Sequence, residues 1–146
     1  MKEKAYQTII FSFIVLIVIF DAAEYAHSES LRFVGRNEDG VMYYDRDSIK
    51  IEKTNTITLW VTQVYSQELS DIVRRSLPTI EQYRRPYSKA SFIEINCKER
   101  YFRTIKYIIF DEGDNVLYLN NNKDNIMNIN IVPGSIIDKV RLIVCR

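Results

Sequence analysis

Two cysteines place the strongest limit on what this chain can fold into. Cys97 closes an apolar, alternating stretch at residues 92–97, and Cys145 stands beside Arg146 at the end of a 146-residue sequence. The chain opens with the pattern of an export signal. Lys2 and Lys4 precede an apolar run at residues 9–20 (IIFSFIVLIVIF), Asp21 ends it, and Ala26 and Ser28 supply the small residues that a signal peptidase reads. The run is shorter than the about 20 apolar residues a membrane span needs. It predicts a signal peptide over residues 1–28, with an uncleaved signal anchor as the alternative and then the only route to the membrane. No cysteine follows the run, which excludes lipid attachment through an N-terminal cysteine. In an exported chain a single pair of thiols normally ends as a disulfide. A Cys97–Cys145 bridge is therefore expected; the alternative is two unpaired buried thiols.

Residues 29–146 have the length of one domain. Removing the leader takes away two lysines and three carboxylates, which moves the formal net charge from +1 to +2. So small a charge argues against a nucleic-acid binder driven by global electrostatics. Ten Tyr and seven Phe against four Gly and three Pro favour strands over loops. Strands are expected at residues 31–36, 41–45, 48–52, 56–65, 92–97, 101–110, 115–119 and 126–132, with Asp39-Gly40 supplying a tight hairpin turn. In the strand at 56–65 Ile57, Leu59 and Val61 alternate with Thr58, Trp60 and Thr62, so Trp60 faces away from the core. Residues 67–83 are ambiguous, with one or two helical turns before Pro78. After Ser135, a candidate N-cap, Ile136, Ile137, Val140, Ile143 and Val144 recur at helical spacing.

The fold class that follows is α+β: an antiparallel sheet of about six strands with a C-terminal helix packed on one face. Ile93, Ile95 and Cys97 share a face by the two-residue period, and the helix has no other large surface on which to lay its apolar stripe. A Cys97–Cys145 bridge would tie the helix end to that face. It would close a loop of about 49 residues, worth roughly 4 kcal/mol on the chain-entropy account.

The same residues carry a resemblance. VMYYD at 41–45, SIK at 48–50 and LWV at 59–61, then FIEINCKER at 92–100 with Arg103-Thr104, and IVPGS at 131–135 leading to Val144-Cys145, follow one another in the order of the bacterial surface-adhesin E family. The resemblance covers most of residues 31–146. It implies an exported protein of bacteria, in the periplasm, on the cell surface or secreted, with a helix held to an antiparallel sheet by a Cys–Cys bridge. It also implies adhesion to host extracellular-matrix proteins such as vitronectin and laminin. The absence of a lipidation cysteine sets this chain apart from the adhesin after which the family is named.

The residues leave little room for catalysis. The only histidine, His27, lies in the leader, so the mature chain has neither a His-based catalytic site nor a His metal site. Bridged cysteines offer no thiolate. No GxGxxG, P-loop or HExxH pattern occurs. No cofactor and no enzymatic activity are expected. Asp45 with Asp47, and Asp111 with Glu112 and Asp114, sit where turn chemistry accounts for them, the alternative being a calcium or acid–base role. Residues 74–106 carry nine Lys or Arg against three Glu, and the balance reverses over 107–132. Arg84, Arg85 and Lys89 are the candidate ligand-binding residues of a basic face toward a matrix protein or a glycosaminoglycan, with Tyr83 and Tyr87 alongside; the alternative is solvated surface. An exposed edge strand offers a route to a homodimer. A periplasmic interaction domain with no host ligand is the second functional reading.

Overall fold

Alternation of apolar and polar residues, broken by short polar turns, builds one sheet. The computed structural model describes residues 30–53, 55–77, 84–121 and 126–146; the expected signal peptide and Tyr83 lie outside them. Its strands are β1 (Leu31–Asn37), β2 (Gly40–Asp45), β3 (Lys50–Lys53), β4 (Thr56–Tyr65), β5 (Ser88–Asn96), β6 (Tyr101–Phe110), β7 (Val116–Asn121) and β8 (Ile129–Asn130). Its helices are α1 (Gln67–Ser76) and α2 (Ile136–Val144). The strand order is β1-β2-β4-β5-β6-β7, with β3 on β4 and β8 on β6. β2 and β3 pair with opposite ends of β4, and β7 and β8 with opposite ends of β6, so the sheet is six rows wide.

In the central antiparallel pair Ile57 stands opposite Ile95, Leu59 opposite Ile93, and Trp60 opposite Phe92. Ile57, Leu59, Val61, Ile93 and Ile95 make one face of the sheet and pack with Ile131 and Val140 into the buried core. Leu59, Ile93, Ile95 and Val140 are the largest apolar side chains fully enclosed there. Each contributes about 1.5–3 kcal/mol by leaving water.

Helix α2 supplies the lid of that core. Ser135 caps it, its Oγ accepting from the Asp138 N–H at 3.2 Å. Asp138 answers by accepting the Gly134 N–H at 2.9 Å and the Arg141 Nε–H at 2.8 Å. The Gly134 N–H first, and the Arg141 guanidinium second, hold the Asp138 carboxyl below its ordinary range. The helix ends at Cys145, bridged to Cys97 with the two Cα atoms 5.6 Å apart. The predicted disulfide and the helix-on-sheet architecture are both present.

Local differences have local causes. β5 starts at Ser88, four residues before the apolar alternation begins, because the small and polar residues of 88–91 pair along β4 and β6 as well as the apolar ones do. Residues 67–76 resolve to a helix, with Ser66 Oγ accepting from the Leu69 N–H at 3.3 Å. Residues 46–48 wind into a 3-10 turn, so β3 begins at Lys50. The Trp60 N–H, left between β2 and β3, is taken by Ser48 Oγ at 2.8 Å. The strand expected over 126–132 keeps only Ile129–Asn130, since Ile131 turns into the core.

Candidate functional site

The sheet has two unlike faces. One lies under α2. The other gathers aromatic and charged side chains from the central strands: Trp60 on β4, Phe92 and Glu94 on β5, Arg103 and Lys106 on β6. The Trp60 and Phe92 rings lie 5.4 Å apart. Lys106 Nζ sits above both, 5.2 Å from the Trp60 ring and 5.6 Å from that of Phe92. A cation over an aromatic face gains about 0.5–1 kcal/mol at an exposed site. Among the described residues Lys106 has no carboxylate partner. Arg103 does: its Nη2 donates to Glu94 Oε2 at 2.9 Å, which raises the guanidinium pKa further above its ordinary value. Toward the sides of the same face, Phe33 meets Tyr43 edge-on at 6.0 Å and is 62% exposed, and Leu119 of β7 is 54% exposed.

Lys106 reaches this face through a β-bulge. Phe92 pairs with Lys106 but Ile93 pairs with Thr104, leaving Ile105 as the extra residue. Without the bulge, strict alternation would put Lys106 on the α2 side, with Phe102 and Thr104.

The candidate residues Arg84, Arg85 and Lys89 do not meet in one patch. Arg84 pairs with Asp111, Nη2 to Oδ2 at 2.8 Å. Arg85 is 57% exposed in its side chain, with Asp71 3.9 Å away. Lys89, opposite Gln63, points to the α2 side, where it lines a cleft and stands 5.4 Å from the Tyr107 ring. Burial there pushes its pKa down. The charge asymmetry of the sequence is thus partly consumed internally, since Asp111 of the acidic segment folds back onto Arg84 of the basic one.

The acidic clusters serve their turns. Asp45 Oδ1 accepts the Asp47 N–H at 3.0 Å. Asp111 Oδ1 accepts the Gly113 and Asn115 N–H groups at 3.0 and 2.9 Å. The tyrosines divide by face, Tyr43 and Tyr101 with Trp60, Tyr44, Tyr65, Tyr107 and Tyr118 on the α2 side; all are half-buried. Burial raises the Tyr65 pKa, and Tyr107 adds to the effect. Sequence reasoning placed Trp60 on the second face but missed its partners. Phe92, alternating with Ile93 and Ile95, was the available signal; the bulge that delivers Lys106 left none.

The family model for Surface-adhesin protein E matches residues 31–146. No curated protein matches the chain. Among solved structures, the selenomethionine form of Haemophilus influenzae protein E is similar at TM-score 0.54 and 13% identity, over 77% of this chain and 84% of that one. A second structure of Haemophilus influenzae protein E gives 0.50 and 13%, over 80% and 83%. Protein E from non-typeable Haemophilus influenzae gives 0.53 and 11%, over 80% and 75%. At such identities these likenesses speak for the fold, and the family match spans the whole sheet, α2 and both cysteines. The chain belongs to the surface-adhesin protein E family.

Proposed function

We propose that this protein is an exported, non-enzymatic surface adhesin that binds a host extracellular-matrix protein through the sheet face opposite α2. Family membership supports adhesion as the activity. The observation that carries the choice of face is the Trp60–Phe92–Lys106 cluster. Tryptophan, with tyrosine and arginine, is enriched among the side chains that concentrate binding energy at protein interfaces. Lys106 is also free to act. A partner carboxylate can reach it without first breaking an internal ion pair, whereas Arg84 would have to leave Asp111.

The glycosaminoglycan reading of the basic segment now rests chiefly on Arg85, the exposed member of the three. Surface plasmon resonance on immobilised vitronectin, laminin and heparin separates the surfaces. Wild type is compared with a Trp60→Ser, Lys106→Glu variant and with an Arg84→Glu, Arg85→Glu variant, each checked for an unchanged fold by circular dichroism. The first variant is expected to weaken matrix-protein binding by about tenfold or more, and the second to leave it within about twofold. The reverse pattern would move the site to the Arg84 end. No binding by wild type to any of the matrix proteins, or protein strictly resistant to protease on intact cells, would favour the periplasmic interaction domain.

A further inference from the structure

We infer that the cleft between α2 and the sheet is a binding site for a small amphiphilic carboxylate, separate from the proposed adhesive face. Helix α2 covers the half of the sheet that carries Leu59 and Ile95. It leaves a cleft of about 250 Å³ beside its first turn. Val61, Phe102 and Ile137 give the cleft an apolar lining, and Gln63, Lys89, Ser91 and Thr104 add polar groups to it.

Those four polar side chains keep some contact with solvent: among the described residues the buried side-chain atoms left without a hydrogen bond are Asp71 Oδ1 and Arg103 Nε. None has a hydrogen-bond or ion-pair partner among the described residues. Gln63 and Lys89 stand opposite each other across β4 and β5, and Ser91 follows Lys89 on the same face. Their donors are therefore neighbours: three from the ammonium, two from the amide and one from the hydroxyl. A partly buried ammonium with no ion-pair partner is costly. The Tyr107 ring at 5.4 Å answers only part of that cost. A carboxylate seated against Lys89, Gln63 and Ser91 would supply the missing partners, while its apolar tail lay along Val61, Phe102 and Ile137. Asp39, which also lines the cleft and accepts from Asn37 Nδ2 at 3.4 Å, repels negative charge there, which counts more against a ligand with two carboxylates than against one carboxylate seated on Lys89. The ligand chemistry is thus a single carboxylate on a short apolar body.

Octanoate is the probe, titrated into the purified protein by calorimetry and by amide-resolved NMR, with 1-octanol and octylamine as matched controls. Octanoate is expected to bind saturably at or below about 1 mM and to shift the Gln63, Lys89 and Ser91 resonances. The controls are expected to bind about tenfold more weakly or not at all, and Lys89→Met to weaken octanoate by about tenfold or more without lowering Tm. Equal binding of octanol, undiminished binding by Lys89→Met, shifts confined to the Trp60 face, or no saturable binding would each overturn the inference. Ser91→Ala, a smaller change at the same seat, is the second variant if Lys89→Met does not fold, and a loss in affinity of about threefold or more is required of it.

Discussion

Asp111 shows what one carboxylate can organise. Its Oδ1 accepts two backbone N–H groups of its own turn while its Oδ2 accepts from Arg84, twenty-seven residues away in sequence. The Arg84 bond first, and the Asn115 N–H second, bring its pKa to about 2. A depressed folded-state pKa means stability that is present above the ordinary carboxylate range, near 4, and lost as pH falls toward 2. Arg84→Ala should therefore melt below wild type at neutral pH. The gap should narrow between about pH 4 and 2, followed by thermal unfolding across that range. Gly40 makes a backbone demand of a different kind. Its φ is +133°, and a Cβ there would collide with the Val64 carbonyl. Gly40→Ala is expected to cost about 1–3 kcal/mol, read as a lower urea midpoint at unchanged slope. Asp39-Gly40 was legible as a turn because its chemistry is local. The Arg84–Asp111 pair was not, because nothing in the sequence says which carboxylate of the acidic segment a given arginine will meet.

Among the elements, α2 was the easiest to read, and for the same local reason. Ser135, Asp138 and the apolar spacing of Ile136, Ile137 and Val140 lie within two turns, and the cap forms between Ser135 and Asp138 as the pattern requires. Ser135→Ala should lower unfolding free energy by about 1 kcal/mol in urea titration. β5 was harder. Ser88, Lys89, Ala90 and Ser91 give no apolar alternation, so the pattern starts the strand only at Phe92 and groups Lys89 with Arg84 and Arg85 on a basic face. The bulge at Ile105 was hidden altogether, since an extra residue in β6 is set by its pairing with β5 and not by its own sequence. Both concern residues of the proposed sites. The candidate sites were thus less legible than the fold, because what faces what depends on register between strands.

At the scale of the whole molecule the Cys97–Cys145 bridge joins the sheet to the end of α2 across 48 positions of sequence. Replacing both cysteines by serine is expected to remove roughly 4 kcal/mol of stability, measured by urea unfolding under non-reducing conditions. That is a large share of the about 5–15 kcal/mol a domain has. The bridge also secures a division of labour, with α2 closing one face over the core and leaving the other to Trp60, Phe92 and Lys106. Adhesion through that second face is the central claim. Hydroxyl-radical footprinting tests it at the side chains themselves, with the protein bound to vitronectin or laminin and read by mass spectrometry. Oxidation of Phe33, Trp60 and Leu119 should fall on binding while Leu142, exposed on α2, is unchanged; protection of Leu142 with Phe33, Trp60 and Leu119 left reactive would contradict the account.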